Sequence, residues 1–293
     1  MSKKLVLALC ALATLFTCTG WKCSREHVHS VEMMNKCVEY HRRKLFPQAI
    51  RDCSKAVSLD PENEKAHHNL SMVYIETKEY DQAARHLQKA IALTSDVPIY
   101  HYQLGEVYQW MGQYEQAAKH LQQAIGLDDS LYKAHYRLGR VYEEMDEPEK
   151  ALQKYTDCLQ RQGKFFDAYR ELGSLYLDYG FTSQAEQVFK EGLKALAGRG
   201  DELAVIHHRL GTVYAEKKEW DKAAKEFRQA LELKPDMEDA MFSLGWAYSY
   251  TNKENAKIWL DKFVAGASQT TRPDYLSAAS SRLAEIELGV PIQ

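Results

Sequence analysis

An all-α array of helical hairpins is the fold class this sequence predicts, and three observations predict it. The string Leu-Gly-x2-Tyr recurs at Leu104-Gly105-x2-Tyr108, Leu138-Gly139-x2-Tyr142, Leu172-Gly173-x2-Tyr176, Leu210-Gly211-x2-Tyr214 and Leu244-Gly245-x2-Tyr248. Each copy is followed by a second string of small and bulky apolar residues: Ala117, Leu121 and Ala124; Ala151 and Tyr155; Ala185 and Phe189; Ala223, Phe227 and Ala230; Ala256 and Leu260. The third observation is the interval, since Tyr74, Tyr108, Tyr142 and Tyr176 follow one another 34 residues apart.

Within a copy, the spacing is helical. Leu and Tyr four residues apart share one face of a first helix, and Ala-x3-Phe-x2-Ala lies along one face of a second. A glycine inside a helix costs about 1 kcal/mol relative to alanine, so its recurrence at one register argues for close approach of two helix backbones. Small residues such as Ala117 and Ala124 are expected to face Gly105. Each hairpin exposes apolar faces that only its neighbours can cover, so the units stack.

The pattern resembles the tetratricopeptide repeat family, whose 34-residue helix-turn-helix unit carries W-x2-L-G-x2-Y, then A-x3-F, then P. The fullest match is His207-x2-Leu210-Gly211-x2-Tyr214 with Ala223, Phe227, Ala230 and Pro235. The resemblance implies a right-handed superhelical solenoid of about seven repeats over residues 30–268, starting near 30, 64, 98, 132, 166, 204 and 238. A C-terminal capping helix and tail would follow over residues 269–293.

Residues 1–20 begin with Lys3 and Lys4, continue through the apolar run Leu5 to Phe16 and end in small residues. That is the layout of a secretory signal peptide, too short to span a membrane. Leu15-Phe16-Thr17-Cys18 resembles the lipobox of bacterial lipoproteins, which would make Cys18 the lipidated first residue; cleavage after Gly20 is the alternative. Residues 21–29 read as a polar, mobile tether. Cys23-x3-His27-x-His29 has ligand residue types, but no second cluster completes a four-ligand site, so no metal is expected.

The first repeat is degenerate. Tyr40, Ala49, Ala56 and Pro61 hold their positions, while Cys37 stands where Gly is usual and Cys53 where Phe is usual. Both face the interface between the two helices, and in an exported protein they can form a disulfide worth roughly 3 kcal/mol or remain two small buried thiols. Cys158 sits at a small-residue packing position in the fourth repeat. Pro47, Pro98 and Pro148 suit first helical turns. Between Tyr176 and Tyr214 the spacing lengthens to 38, and the extra residues are assigned to a flexible turn at Ala197-Gly198-Arg199-Gly200-Asp201. The seventh repeat is one residue short between Tyr248 and Ala256. A last amphipathic helix from Asp274 to Leu288, with Tyr275, Ala279, Leu283 and Ile286 on one stripe, fits a solvating cap.

Composition restricts the chemistry. The chain has 293 residues, 27% of them charged, a net charge of -3 and six cysteines. Near neutrality gives no electrostatic footprint for nucleic acid. After Gly20 nothing is long and apolar enough to span a membrane, so membrane association would rest on the N-terminus. No phosphate-binding loop, dinucleotide fingerprint, H-E-x-x-H or G-x-S-x-G occurs, and no cofactor or catalytic residue is expected. His67, His101, His135 and His207 fall where the family pattern has Trp, and by register are aromatic packing residues.

Function is therefore expected on the concave face, which in this family is lined by first helices. Register places Tyr102, Gln103, Glu106, Lys133, Tyr136, Arg137, Arg140 and Arg170 in the middle of that groove. His68, Asn69 and Met72 fall toward one end, and His208, Arg209, Phe242 and Trp246 toward the other. Basic and aromatic groups interleaved in a groove suit an extended or helical client segment carrying a carboxylate. Some co-chaperone adaptors of the family grip a chaperone's C-terminal carboxylate with a Lys/Asn, Asn, Lys/Arg clamp. Here Asn69 and the Lys133/Arg137 pair lie two repeats apart and Gln103 replaces the middle Asn, a departure from that clamp. The resemblance to tetratricopeptide lipoproteins that help assemble secretins and type IV pili implies a non-catalytic, exported adaptor. It would be periplasmic or a membrane-anchored lipoprotein. A cytosolic or organellar co-chaperone adaptor is the alternative.

Overall fold

The computed structural model describes residues 25–268 and 271–290. The expected signal peptide, Cys18 and Cys23 lie outside them. Among the described residues there are fifteen α-helices, and the chain divides into two compact units between Met145 and Asp146.

The first unit contains α1 (Arg25–Arg42), α2 (Phe46–Leu59), α3 (Glu64–Glu76), α4 (Tyr80–Leu93), α5 (Pro98–Trp110), α6 (Tyr114–Leu127) and α7 (Tyr132–Glu144). The second contains α8 (Pro148–Arg161), α9 (Phe166–Asp178), α10 (Thr182–Ala195), α11 (Gly200–Glu216), α12 (Trp220–Leu233), α13 (Glu238–Ser249), α14 (Lys253–Ala265) and α15 (Pro273–Glu287). Within each unit every helix packs on the next in sequence, the all-helical hairpin array that the repeat predicts.

The glycines of the motif are packing glycines, and the nearest atoms they face belong to a large second-helix side chain; at Gly105 the carbonyl oxygen of Ala117, one of the expected alanines, is also 3.2 Å from the Cβ position. A Cβ on Gly105 would stand 2.6 Å from Cγ of Leu121, one on Gly173 2.4 Å from the Phe189 ring, and one on Gly245 2.8 Å from Leu260. A large side chain from the second helix fills the space that the glycine leaves. Cys37 and Cys53 occupy these same two positions in the first hairpin. They are joined as a disulfide with Cα atoms 5.2 Å apart, both fully buried. Cys158 is also fully buried.

Five of the first helices end in one way. Lys44, Lys78, Gly112, Gly180 and Lys218 have φ between 56° and 76°, all at the fifteenth position of their repeats. The next residue donates its N–H back to the motif tyrosine: Leu45 to Tyr40 O, Glu79 to Tyr74 O, Gln113 to Tyr108 O, Phe181 to Tyr176 O and Glu219 to Tyr214 O, at 2.8–2.9 Å. This is a Schellman cap, and it satisfies helix-terminal carbonyls while reversing the chain.

Two stretches differ from the sequence reading. Residues 25–29, expected in a tether, belong to α1, where His27 Nδ1 lies 2.5 Å from Asp60 Oδ2 and the Ser30 hydroxyl donates to Ala56 O at 2.9 Å. The extra residues before Tyr214 do not all form a flexible turn: α11 begins at Gly200 and has 17 residues where α9 has 13. Four added residues are close to one helical turn, so the lengthened helix keeps its buried face in register.

Candidate partner-binding face

Knowing the register, the face of the first helices can be built unit by unit. In the first unit, side chains from consecutive first helices are knitted together. His68 of α3 donates from Nε2 to Gln103 Oε1 of α5 at 2.7 Å, and Gln103 Nε2 donates to Met72 Sδ at 2.9 Å. The Gln103 amide is thus engaged at both ends. Arg137 of α7 pairs with Glu106 of α5, Nε to Oε1 at 2.8 Å, and its guanidinium lies 6.0 Å from the Trp110 ring centre. Tyr102 sits beside this pair; burial, and then the Glu106 charge, push its hydroxyl well above the usual tyrosine range.

Tyr102, Gln103 and Tyr136 are each at most 9% exposed, so three residues expected to line an open groove are packed into it. The physical reason is the short reach between adjacent first helices, which lets the fifth residue of one repeat bond the sixth of the next. Lys133 is exposed and Arg137 and Arg140 are half-buried. These three cations stand at i, i+4 and i+7 of α7, one stripe of one helix.

In the second unit, Arg170 of α9 contacts Asp167 Oδ1 at 3.1 Å and Glu171 Oε1 at 2.7 Å, with its guanidinium 5.5 Å from the Phe166 ring centre. Its charge is balanced on its own helix. Arg209 of α11 is half-buried, and its neighbour His208 lies 3.2 Å from the Ser243 hydroxyl of α13. Burial holds the His208 ring at a pKa of about 4, with the nearby Asp239 charge pulling weakly the other way.

Phe242 and Trp246, expected at the open end of the groove, are covered by α15. Tyr275 stacks on Phe242 at 4.2 Å and 15°, and the Arg282 guanidinium lies 4.2 Å from the Trp246 ring centre. Helix α15 takes the place of a further first helix, with Ala279 fully buried against Leu260 and Phe263. It shields an aromatic surface that would otherwise face water.

The histidines at the tryptophan register do more than pack. His67 Nε2 reaches Pro61 O at 3.2 Å, His101 Nε2 reaches Ser95 O at 3.1 Å and His135 Nε2 reaches Asp129 O at 3.1 Å. The Tyr169 hydroxyl donates in the same way to Gly163 O at 3.1 Å. In all four the side chain closes the loop six residues before it. His207 has no such loop, because α11 runs through that stretch, and its Nδ1 instead pairs with Glu226 Oε2 at 2.7 Å.

The second-helix partners His86 and His120 were not singled out by motif. They lie 19 residues after His67 and His101, and that recurring interval was the signal available. Among the described residues no group of three or more His, Cys, Asp or Glu gathers to hold a metal ion, and no helix is long and apolar enough to cross a membrane.

Comparison with known proteins agrees with this architecture. Tetratricopeptide repeat family models match residues 72–112, 95–164 and 204–237. No curated protein matches the sequence significantly. Among solved structures, MamA is 27% identical over 57% of this chain and 91% of its own, with a TM-score of 0.54. The C-terminal part of a TPR repeat-containing protein from Cytophaga hutchinsonii covers 83% of this chain and 98% of its own at a TM-score of 0.71 and 14% identity. YrrB, described as a TPR protein with an unusual peptide-binding site, is 22% identical over 64% of this chain and 95% of its own, with a TM-score of 0.53. The last two likenesses concern the fold alone. With the 34-residue motif, its packing glycines, its capped hairpins and these matches together, the chain is a tetratricopeptide repeat protein.

Proposed function

We propose that this protein is a non-catalytic scaffold that holds an acidic, extended or helical segment of a client protein on the first-helix face of α7. The observation that carries this reading is the stripe of Lys133, Arg137 and Arg140 along one face of α7, in which Arg137 is held by Glu106. Guanidinium groups recognise carboxylates in a bidentate manner, and Trp110 beside Arg137 adds an aromatic wall. The peptide-binding site of YrrB is a precedent for a repeat array of this kind holding a peptide. The closure of the α13 end by α15 moves the proposed contact away from Phe242 and Trp246 and toward α7.

The N-terminal sequence supports export, with the scaffold either lipidated at Cys18 or processed after Gly20, serving assembly of an envelope complex by analogy with pilus and secretin adaptors. Binding is tested by anisotropy with an array of acidic peptides against the wild type and an Arg137→Ala/Arg140→Ala variant. Loss of binding at unchanged thermal stability supports the reading; equal binding by both overturns it. Intact-mass spectrometry from the native host tests the location. Acylated Cys18 or a chain starting at Trp21 supports export, and an intact Met1 moves the protein to the co-chaperone class.

A further inference from the structure

Two histidine pairs recur one repeat apart in the first unit. His67 and His86 approach Nδ1 to Nδ1 at 2.9 Å, and His101 and His120 at 3.2 Å. In each pair one ring comes from the first helix of a hairpin and the other from the second. The motif tyrosine backs the second ring: Tyr74 stacks on His86 at 5.8 Å and 17°, and Tyr108 on His120 at 5.6 Å and 26°.

Hydrogen bonding fixes the tautomers. A backbone carbonyl only accepts, so His67 donates its Nε2–H to Pro61 O and His101 donates its Nε2–H to Ser95 O. In the neutral ring this leaves Nδ1 of His67 and of His101 with a lone pair directed at the partner ring. Metal-bound histidines have the same arrangement, with one nitrogen on the ion and the other N–H donated to a carbonyl that sets the ring orientation.

We infer that each pair is a two-histidine site for a borderline divalent cation of the zinc class, with water completing the coordination shell. Two nitrogens bound to a tetrahedral zinc at about 2.0–2.1 Å stand about 3.3 Å apart. The observed separations are within a few tenths of an ångström of that value, but the ring centres, 5.2 and 5.5 Å apart, show the two nitrogens meeting head-on, so both rings must turn before their lone pairs converge on one ion. His86 and His120 then carry their proton on Nε2 instead of Nδ1, and no net charge is taken up or released by the rings. Arg85, Lys89 and Lys119 oppose a bound cation, and no third protein ligand gathers among the described residues. The sites are therefore weak and exchangeable, not structural zinc centres. The sixth repeat is an internal contrast, since there His207 faces Glu226 and a single imidazole is present.

The test is zinc titration of the full chain at pH 7.5 by calorimetry, with magnesium as the control ion. Glutamine can still donate to Nδ1 of His67 or His101, so His86→Gln and His120→Gln keep the hydrogen bond and remove the ligand. Each substitution is expected to lower the zinc stoichiometry by one and the double variant by two, with circular dichroism unchanged. Nitrogen-15 spectra of the wild-type histidines give a second readout that needs no variant: zinc should move the Nδ1 resonances of His67 and His101. Equal stoichiometry in the wild type and the folded double variant, or Nδ1 resonances that zinc leaves in place, overturns the inference.

Discussion

A Cβ atom on Gly211 would stand 2.5 Å from Cε1 of Phe227, closer than real side-chain contacts allow. The ring belongs to a residue only 2% exposed, so it has little room to give way. Replacing Gly211 with alanine gains up to about 1 kcal/mol in helix propensity, but overpacking a tight core costs about 1–3 kcal/mol. The clash wins, and Gly211→Ala should lose about 1–2 kcal/mol in urea denaturation. Gly126 in α6 is the matched control, with nothing within 4 Å of its Cβ position. Gly126→Ala should gain about 0.5–1 kcal/mol. A neutral Gly211→Ala would remove close backbone approach as the reason for the motif glycine.

This case shows how far the sequence was legible. Register identified the glycine as a packing position, but it could not say which residue of the second helix reaches it. Helical side chains lean toward the N-terminus of their helix, so the bulk of Leu121 or Phe227 covers a spot that the alanines on the same face leave open. The candidate face was limited in a similar way. Register put Tyr102, Gln103 and Arg137 on the right helices, whereas their mutual burial depends on the distance between neighbouring first helices. The covering of Phe242 by Tyr275 depends on where a non-repeat helix lies, and no repeat pattern encodes that.

The Cys37–Cys53 disulfide replaces the glycine-against-large-residue contact with a covalent one, across 16 residues of sequence. Reduction should cost roughly 3 kcal/mol in the chain-entropy picture. Because both sulfurs are fully buried, reductant should act only as the first hairpin opens. Cys37→Gly with Cys53→Leu restores the pairing that Gly105 and Leu121 make, and should recover part of the loss. Cys37→Ser with Cys53→Ser buries hydroxyls and should be the less stable double variant. Urea midpoints with and without reductant decide this: the wild type should shift, and neither double variant should.

His208 gives the second unit a defined pH response. Its ring titrates near 4 in the folded chain, against an ordinary value of 6.5, chiefly because it is buried. As pH falls through 6.5 the unfolded ring takes up a proton that the folded ring refuses, so the unfolded state binds more protons. Stability is full above about pH 6.5 and declines between 6.5 and about 4. His208→Gln removes this titration and should reduce the change in urea midpoint between pH 7.5 and pH 5, with the buried His86 and His120 still contributing their share. Equal slopes for the variant and the wild type would show that His208 is not shielded from water.

The fifteenth position of each repeat predicts a gain. Gly112 and Gly180 adopt φ of 71° and 76° there without a side-chain cost, whereas Lys78 and Lys218 adopt 62° and 59°. For a residue with a Cβ, the left-handed region costs about 1–2 kcal/mol, offset in part by the greater chain entropy that glycine loses on folding. Lys218 is exposed, and the cap it supports is made by the backbone of Glu219 and Tyr214, which donate and accept at 2.8 Å whatever side chain precedes them. Lys218→Gly should therefore stabilise by about 0.5–1 kcal/mol, and Lys78→Gly should do the same in the other unit. Denaturation midpoints of each single variant and of the pair check this. Because the two positions lie in different units and share no partner, their gains should add. A loss in either single variant would mean that its lysine makes a contact worth more than the strain it carries.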